Sequence, residues 1–467
     1  MDDPLTDKRV VILGLARQGL ALTRWLVEHA GAHVTVSDLH TADQLADVMA
    51  ELEDVPIRYV LGGHPDSLLD DADLVCLSGG VPVDAPIVLE AAARGIPLSN
   101  DAQIFMERCP CDAIGITGSA GKTTTTALVG AIGDAAGRIT WVGGNIGNPL
   151  IADLSYIRST DQAVIELSSF QLELMTVSPQ VAAVLNITPN HLDRHKTMEA
   201  YTNAKARIVE NQIVGDWAVL GLDDPGAAAL ASRTGAQIAH FSGRQEVDIG
   251  AWLDGDHLMI RSRMDRPAEP IGTTDMIQLR GYHNVLNVLA ACAVTGVAGM
   301  PVAAMRAAIA SFTGEPHRLE VVREWHGVTY INDSIATAPE RVVAALKSFD
   351  EPLVLLLGGR DKKLPWESML TLAAQKARTI ITFGEAGPMI ARQAQVALME
   401  AAQAAQGGMA PNVRIEQVDT LPEAVELAAH MARPGDVVLL SPGGTSYDAY
   451  HDFEARGEHF RQLVNDL

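Results

Sequence analysis

Cysteine is nearly absent: Cys76, Cys109, Cys111 and Cys292 are the four in 467 residues. Cys109-Pro110-Cys111 is the single close pair, and no second pair or histidine cluster stands by to complete a zinc site. That argues against a disulfide scaffold or zinc module, and reduced thiols are expected. Positive charge is short as well. Lys and Arg number 35 against 58 Asp and Glu, a formal charge of −23, which excludes a long electropositive track for nucleic acid or anionic lipid. Small anions must then be held by backbone N–H groups and single Lys or Arg side chains. No apolar stretch approaches the ~18 residues of a membrane span. Met1-Asp2-Asp3-Pro4 lacks the basic start and apolar core of a signal peptide. The expectation is a cytoplasmic monomer with no membrane and no nucleic-acid partner. Tandem repeats and low-complexity tracts are missing too.

What the chain has is length and a recurring strand signal. At 467 residues it exceeds one ordinary core, and roughly three domains are expected. Three times a short apolar run enters a Gly-containing turn and then a helical pattern: Val10–Gly19, Ala113–Thr123 and Leu353–Lys362. Each run is too short for a helix and does not alternate, as expected of a parallel strand buried on both faces. Helical stretches rich in Ala, Leu and Glu separate further short strands, which predicts an α/β protein with parallel sheets and crossover helices. The predicted division is a Rossmann-like N-terminal domain over 1–109, a P-loop ATPase-like central domain over 110–312 and a Rossmann-like C-terminal domain over 313–467. The first boundary rests on Arg108-Cys109-Pro110. The second rests on Ser311-Phe312-Thr313-Gly314-Glu315-Pro316, where an Ala-rich helix meets Gly and Pro. Residues 243–280 carry turns at Gly255-Asp256, Arg266-Pro267 and Glu269-Pro270, and predict a small antiparallel excursion in the middle domain.

Thr117-Gly118-Ser119-Ala120-Gly121-Lys122-Thr123-Thr124 is the strongest local signal. Small residues let backbone N–H groups converge on phosphate oxygens, and the following helix points its positive end at them. Lys122 can meet the β/γ-phosphates and the Thr123 hydroxyl can ligate Mg²⁺. Position 116 is Ile where the longer G-x-x-x-x-G-K-[ST] pattern has Gly, so the shorter G-x-x-G-K-T remains. A nucleoside triphosphate is the predicted ligand. Nearer the N-terminus, Gly14-x-Ala16-x-x-Gly19 followed by Asp38 is a dinucleotide fingerprint with Ala in place of one Gly. On those residues alone, a nicotinamide cofactor and another nucleotide both stay open.

Downstream of the phosphate loop stand Glu166-Leu167-Ser168-Ser169-Phe170-Gln171-Leu172-Glu173, Asn186-Ile187-Thr188-Pro189-Asn190-His191-Leu192-Asp193-Arg194-His195 and Tyr201-Thr202-Asn203-Ala204-Lys205-Ala206-Arg207-Ile208. His317-Arg318, Asn332-Asp333-Ser334 and Leu440-Ser441-Pro442 follow in order. In this succession the chain resembles the Mur ligases, over essentially its full length. The dinucleotide-type first domain and the closing run Ser446 to Gly457 resemble the branch that adds D-glutamate to UDP-N-acetylmuramoyl-L-alanine.

The resemblance implies an ATP-dependent amide ligase acting through an acyl phosphate, where most of the catalytic help is positioning and charge neutralisation. It implies ATP bound by Gly118 to Thr124, by Asn284 and Asn287, and by Arg318 and Asp333 of the third domain, with domain closure completing the site. Lys122, Glu166, His191 and Lys205 would be catalytic. Two Mg²⁺ sites are implied, one on Thr123 and Glu166, the other on His191 and Lys205. A lysine ligates a cation only as a carbamate formed from CO₂, which needs a neutral amine and hence a depressed pKa. Taken alone, Lys205 reads as an exposed helix lysine. The first-domain crevice, with Arg17, Gln18, Asp38 and Gly80, would hold the UDP part of the substrate. Asn145, Ser168 and Gln171 would meet its muramoyl-alanine end, and Thr337, Lys362, Ser446 and Phe453 the incoming glutamate.

Two departures from the family pattern bear on that last pocket. Ile335 stands where many relatives carry Lys, so either another residue or a metal supplies that positive charge near the phosphates, or the lysine is dispensable here. Gly443-Gly444-Thr445 also differs from the common form. Rival readings are a folylpolyglutamate-type ligase, a Mur ligase using another amino acid, a nicotinamide-dependent oxidoreductase and a non-catalytic nucleotide switch. The last two leave Glu166, His191, Lys205 or the third-domain set without use.

Overall fold

The computed structural model describes residues 3–314, 316–404 and 413–467; Met1, Asp2 and Glu315, named above, lie outside them. The described residues fall into two compact units. The first runs through Gln278 and resumes over Tyr282–Phe312, and the second takes Leu279–Gly281 and Thr313–Leu467.

The first unit holds two sheets. Strands β1 (Arg9–Leu13), β2 (His33–Asp38), β3 (Arg58–Leu61), β4 (Leu74–Leu77) and β5 (Leu98–Ser99) lie parallel in the order β3-β2-β1-β4-β5. The second sheet comprises β6 (Ala113–Thr117), β7 (Thr140–Gly144), β8 (Gln162–Glu166), β9 (Val181–Val184), β10 (Trp217–Gly221), β11 (Gln237–Ser242), β12 (Gly250–Asp254), β13 (His257–Arg261) and β14 (Glu269–Thr273). Its order is β14-β13-β12-β11-β10-β9-β6-β8-β7. Pairing is parallel from β7 to β12 and antiparallel for β12-β13 and β13-β14, within the stretch where the turns predicted an excursion. Both sheets feed one apolar core, in which Ile12, Trp25 and Phe105 join Leu150, Ile151 and Ile157.

The second unit has one sheet of β15 (Glu320–Trp325), β16 (Val328–Asn332), β17 (Leu353–Gly358), β18 (Ala377–Phe383), β19 (Arg414–Gln417) and β20 (Val437–Gly443). The order is β15-β16-β20-β17-β18-β19, parallel except for the β15-β16 hairpin. The three apolar runs of the sequence are β1, β6 and β17, all interior strands. Every residue of β6 and β17 is buried, which is why those runs do not alternate. In open parallel sheets, ligands gather at the carboxyl ends where strand order reverses. Here that places the Gly14 turn after β1, the phosphate loop after β6 and the Asp333 turn after β16 at candidate positions.

Candidate active site

Strand β6 ends at Thr117, and the helix Lys122–Ala135 follows after Gly118-Ser119-Ala120-Gly121. Gly121 has φ 84°, and a Cβ there would stand 2.2 Å from Asn287 Oδ1, so only glycine fits. Ile116 lies inside β6 opposite Glu166, which is why the loop is the shorter form. Asn186 clamps the loop: Ala120 N donates to its Oδ1 at 2.9 Å, and its Nδ2 donates to Ala120 O at 3.1 Å. Ser119 N donates to Asn186 O at 3.0 Å, and Ser119 Oγ lies 2.9 Å from Tyr201 OH. Ser119 and Ala120 thus spend their N–H groups within the fold. The N–H groups of Lys122, Thr123 and Thr124 precede the helix's first bond, Thr125 N to Gly121 O at 3.0 Å, and point out of its start. Lys122 Nζ folds back to donate to Gly118 O at 3.0 Å.

Glu166, at the end of β8, is 1 % exposed. Its two oxygens accept from Thr123 Oγ1 at 2.9 Å and Asn145 Nδ2 at 2.8 Å, both neutral donors. A buried carboxylate with neutral partners beside a phosphate loop suits a divalent cation. Among the described residues no group of three or more His, Cys, Asp or Glu is placed to hold a metal.

Lys205, on the helix Met198–Glu210, is also 1 % exposed. Nζ donates to Gly118 O at 2.9 Å and Thr117 Oγ1 at 3.2 Å, directly beneath the loop. Burial and then the charge of Lys122 hold its pKa well below the ordinary lysine value, with Glu166 opposing. His191 is exposed and left-handed at φ 53°, its ring edge-on to Phe170 at 5.1 Å. Although the residue is exposed overall, partial desolvation of its ring, then Lys122, Lys205 and Arg194, depress its pKa against Asp193, which favours the neutral imidazole. Phe170 stacks on His195 at 5.3 Å and takes the Arg194 guanidinium 4.4 Å from its centroid. His195 is itself held through Nε2, 2.9 Å from Ser169 Oγ, while Nδ1 stands 3.0 Å from Glu173 Oε1 without hydrogen-bond geometry. Sequence reasoning gave none of Asn186, Tyr201, Ser169 or His195 a role, because each acts through a partner distant in the chain. Asn284 and Asn287 start the helix Tyr282–Val297, where Asn287 Nδ2 donates to Asn284 Oδ1 at 2.9 Å; Asn287 lies against Gly121.

In the first sheet, Gly14 N donates to Ser37 O at 2.8 Å and Ser78 Oγ donates to Gly14 O at 2.7 Å, tying the turn after β1 to the end of β4. Asp38 accepts from Leu15 N at 2.7 Å and from His40 N and Nδ1, both at 2.8 Å. Burial pushes its pKa up, but these donors prevail and hold it below the ordinary value. Gln18 Oε1 accepts from Gly79 N at 3.2 Å, Arg17 donates to Asn145 O at 3.1 Å, and Gly80 O accepts from Arg194 at 3.3 Å. The turns after β1 and β4 are therefore linked to the Glu166 end of the second sheet. Ser168 caps the helix Ser169–Leu172 in a capping box with Gln171. Gln171 is buried and also donates to Asp101 at 3.4 Å, whose pKa burial lifts to about 6.

In the second unit, Asp333 follows β16 and is 4 % exposed. It accepts from Ser441 Oγ at 2.7 Å and Leu319 N at 3.3 Å, and burial lifts its pKa to about 7. Arg318 is half-buried beside left-handed His317 and Leu319. Lys362 Nζ donates to Thr337 Oγ1 at 3.2 Å. Ser446 is buried, and Phe453 O accepts from Ser334 Oγ at 2.8 Å. Arg456, fully buried, ties these turns together by donating to Ser334 Oγ, Ser334 O and Gly444 O at 3.0, 2.9 and 3.2 Å.

A phosphate loop backed by a buried carboxylate and a buried, deprotonation-prone lysine defines a P-loop nucleotide enzyme. The chain matches three family profiles: "Mur ligase MurD-like, N-terminal domain" over 8–100, "Mur ligase middle domain" over 116–295 and "Mur ligase, glutamate ligase domain" over 317–444. It is 42 % identical over 463 residues to the UDP-N-acetylmuramoylalanine–D-glutamate ligase of Symbiobacterium thermophilum, covering 99 % of this chain and 98 % of that protein. The protein of the same name from Pelotomaculum thermopropionicum is 39 % identical over 465 residues, with 99 % and 98 % covered. Among solved structures, the UDP-N-acetylmuramate–alanine ligase MurC of Thermotoga maritima aligns with TM-score 0.58 at 19 % identity, covering 98 % of this chain and 99 % of that one. MurF from Acinetobacter baumannii gives TM-score 0.57 at 17 % identity, covering 98 % and 93 %. The chain belongs to the Mur ligase family, and its fold is the family's three-domain α/β arrangement.

Proposed function

We propose that this protein joins D-glutamate to UDP-N-acetylmuramoyl-L-alanine at the expense of ATP, a step in making peptidoglycan precursors. The observation that carries the reading is the set of Thr123, Glu166, Asn145 and Lys205 packed around the phosphate loop. The full-length similarity to D-glutamate ligases supports the choice of substrates. The domains run 1–109 for the UDP substrate, 110–312 for ATP and 313–467 for the amino acid.

The alanyl carboxylate attacks the γ-phosphorus of ATP, ADP leaves, and an acyl phosphate forms. The glutamate amine then attacks the carbonyl, and phosphate departs from the tetrahedral intermediate with loss of a proton from nitrogen. Helix-start N–H groups and Lys122 hold the phosphates and offset their charge. Asn284, Asn287, Arg318 and Asp333 complete the ATP site. Mg²⁺, when bound, neutralises phosphate charge; Thr123 and Glu166 would hold one ion, and His191 with carbamylated Lys205 a second. The depressed pKa of Lys205 supports a neutral amine able to add CO₂ and lose a proton. Arg17, Gln18, Asp38 and Gly80 hold UDP, Asn145, Ser168 and Gln171 the muramoyl-alanine end, and Thr337, Lys362, Ser446 and Phe453 the glutamate. These substrates place the reaction in the cytoplasm, and a monomer supplies every group named.

The test is phosphate release from ATP with UDP-N-acetylmuramoyl-L-alanine, offering D-glutamate, L-glutamate, D-aspartate and L-lysine in parallel. Release that requires both substrates and prefers D-glutamate is expected. Preference for another amino acid would move the assignment within the family, and no release with any would overturn it. Lys205→Ala should lose most activity and regain part of it with short-chain carboxylic acids. Near-normal activity without additives would remove Lys205 from the metal site.

A further inference from the structure

Within the first unit the chain crosses from the first sheet to the second through Cys109, Pro110, Cys111 and Asp112, between the helix Asp101–Arg108 and strand β6. Both flanks of the crossing are fastened. Arg108 donates to Asp3 at 2.7 and 3.0 Å, and its guanidinium lies 5.4 Å from the Trp25 ring centroid. Cys109 N closes the helix on Phe105 O at 2.8 Å. On the other side, Asp112 O accepts from Gln162 Nε2 at 2.7 Å, and Ala113 N donates to Gln180 Oε1 at 2.8 Å. Between these anchors the chain bends at Pro110 and Cys111 and brings two thiols together. Cys109 Sγ and Cys111 Sγ stand 3.6 Å apart, and Cys109 Sγ donates to Cys111 O at 3.5 Å. A disulfide bond measures about 2.05 Å, so the sulfurs need to close by roughly 1.5 Å to join.

The two thiols differ as an attacking and a resolving sulfur differ. Cys109 is half-buried, whereas Cys111 is 6 % exposed and belongs to the apolar core. The hydrogen bond with Cys111 holds the Cys109 thiol below its ordinary pKa against burial and Asp112, while the same bond and then burial push Cys111 up. Cys76 in β4 and Cys292 in the helix Tyr282–Val297 are fully buried, and burial pushes both of their thiols up. A reagent in solution therefore meets Cys109 first, and the sulfur next to it is Cys111.

We propose that Cys109 and Cys111 form a reversible thiol–disulfide site, oxidised by small-molecule disulfides, whose closure braces the crossing between the two sheets. Cys109, its proton given to solvent, attacks one sulfur of the small disulfide; that S–S bond breaks, and one thiolate leaves and takes up a proton. Cys111 then gives up its proton, its sulfur attacks Cys109 Sγ, and the mixed disulfide breaks to release the second small thiol. Two protein thiols are oxidised and one small disulfide is reduced to two thiols. The closed ring spans only Cys109 to Cys111, and a strained bond of this kind is readily reduced again. In the test, the reduced full chain is incubated with oxidised glutathione, quenched in acid, unfolded, alkylated with N-ethylmaleimide and mapped by peptide mass. Free thiols should fall from four to two. The peptide carrying Cys109 and Cys111 should lose about 2 Da and hold no glutathione, and excess reduced glutathione should reverse the change. Cys111→Ser should stop at one glutathione on Cys109, and Cys109→Ser should stay unmodified. Four free thiols in the parent after prolonged oxidation would overturn the inference. So would glutathione resting on Cys109 of the parent, or a disulfide that includes Cys76 or Cys292. Should either variant fail to fold, the peptide map of the parent still decides.

Discussion

Asp333 ties stability to pH at a single buried carboxyl. Burial lifts its pKa from 3.8 to about 7, and Ser441 and Leu319 oppose that only in part. The folded state therefore binds this proton more tightly than the unfolded chain does. The cost of the buried carboxylate is absent below 3.8, grows as pH rises, and is complete above about 7, on the order of a few kcal/mol. Asp333→Asn keeps the size and an acceptor for Leu319 but cannot ionise. It should melt several degrees higher than the parent at pH 8, the gap closing toward pH 4, while phosphate release falls about 100-fold. Equal melting temperatures at both pH values would show that Asp333 is not held near neutrality. Lys205 follows the same logic with opposite charge: burial under the phosphate loop, and then Lys122, disfavour its ammonium form.

At the scale of elements, the Gly443-Gly444-Thr445 departure has a packing cause. Gly443 ends β20 with φ 71°, and a Cβ there would stand 2.8 Å from the Trp366 ring. A Cβ on Gly444 would stand 2.6 Å from Gly358 O, and Thr445 exchanges backbone hydrogen bonds with Arg360 at 2.8 and 2.9 Å. The run lets β20 and the turn after β17 pass at contact distance. Gly443→Ala should cost about 2 kcal/mol or more, read as a lower urea midpoint at unchanged m. A midpoint within error of the parent would mean that Trp366 moves aside freely. The strands themselves were legible because burial on both faces writes unbroken apolar runs such as Leu353–Gly358, and the phosphate loop because its glycines and lysine are contiguous. The fastenings were not. Asn186 reaches Ala120 across 66 positions, Ser169 meets His195 across 26, and Arg456 meets Ser334 across 122. Such pairs depend on crossover lengths and side-chain direction, and leave no local pattern.

For the whole molecule, the formal charge of −23 and isoelectric point near 4.9 set a repulsive background for every anionic ligand in the proposed reaction. An anionic nucleotide approaches against that field, and local cations such as Lys122 act on it only at short range. The two scales respond differently to salt. The Debye length is about 10 Å at 0.1 M, so distant like charges are screened away while contacts within the phosphate loop are weakened far less. Raising KCl from about 20 to about 200 mM at pH 8 should therefore raise the melting temperature by a few degrees and speed nucleotide association, the reverse of a basic nucleotide-binding protein. Near pH 5, where the net charge vanishes, the salt effect on melting should disappear. Stopped-flow association of a fluorescent ATP analogue, with thermal melts at both pH values, checks this. Slower association with salt at pH 8 would mean that the local cations, not the net charge, govern the approach of the nucleotide.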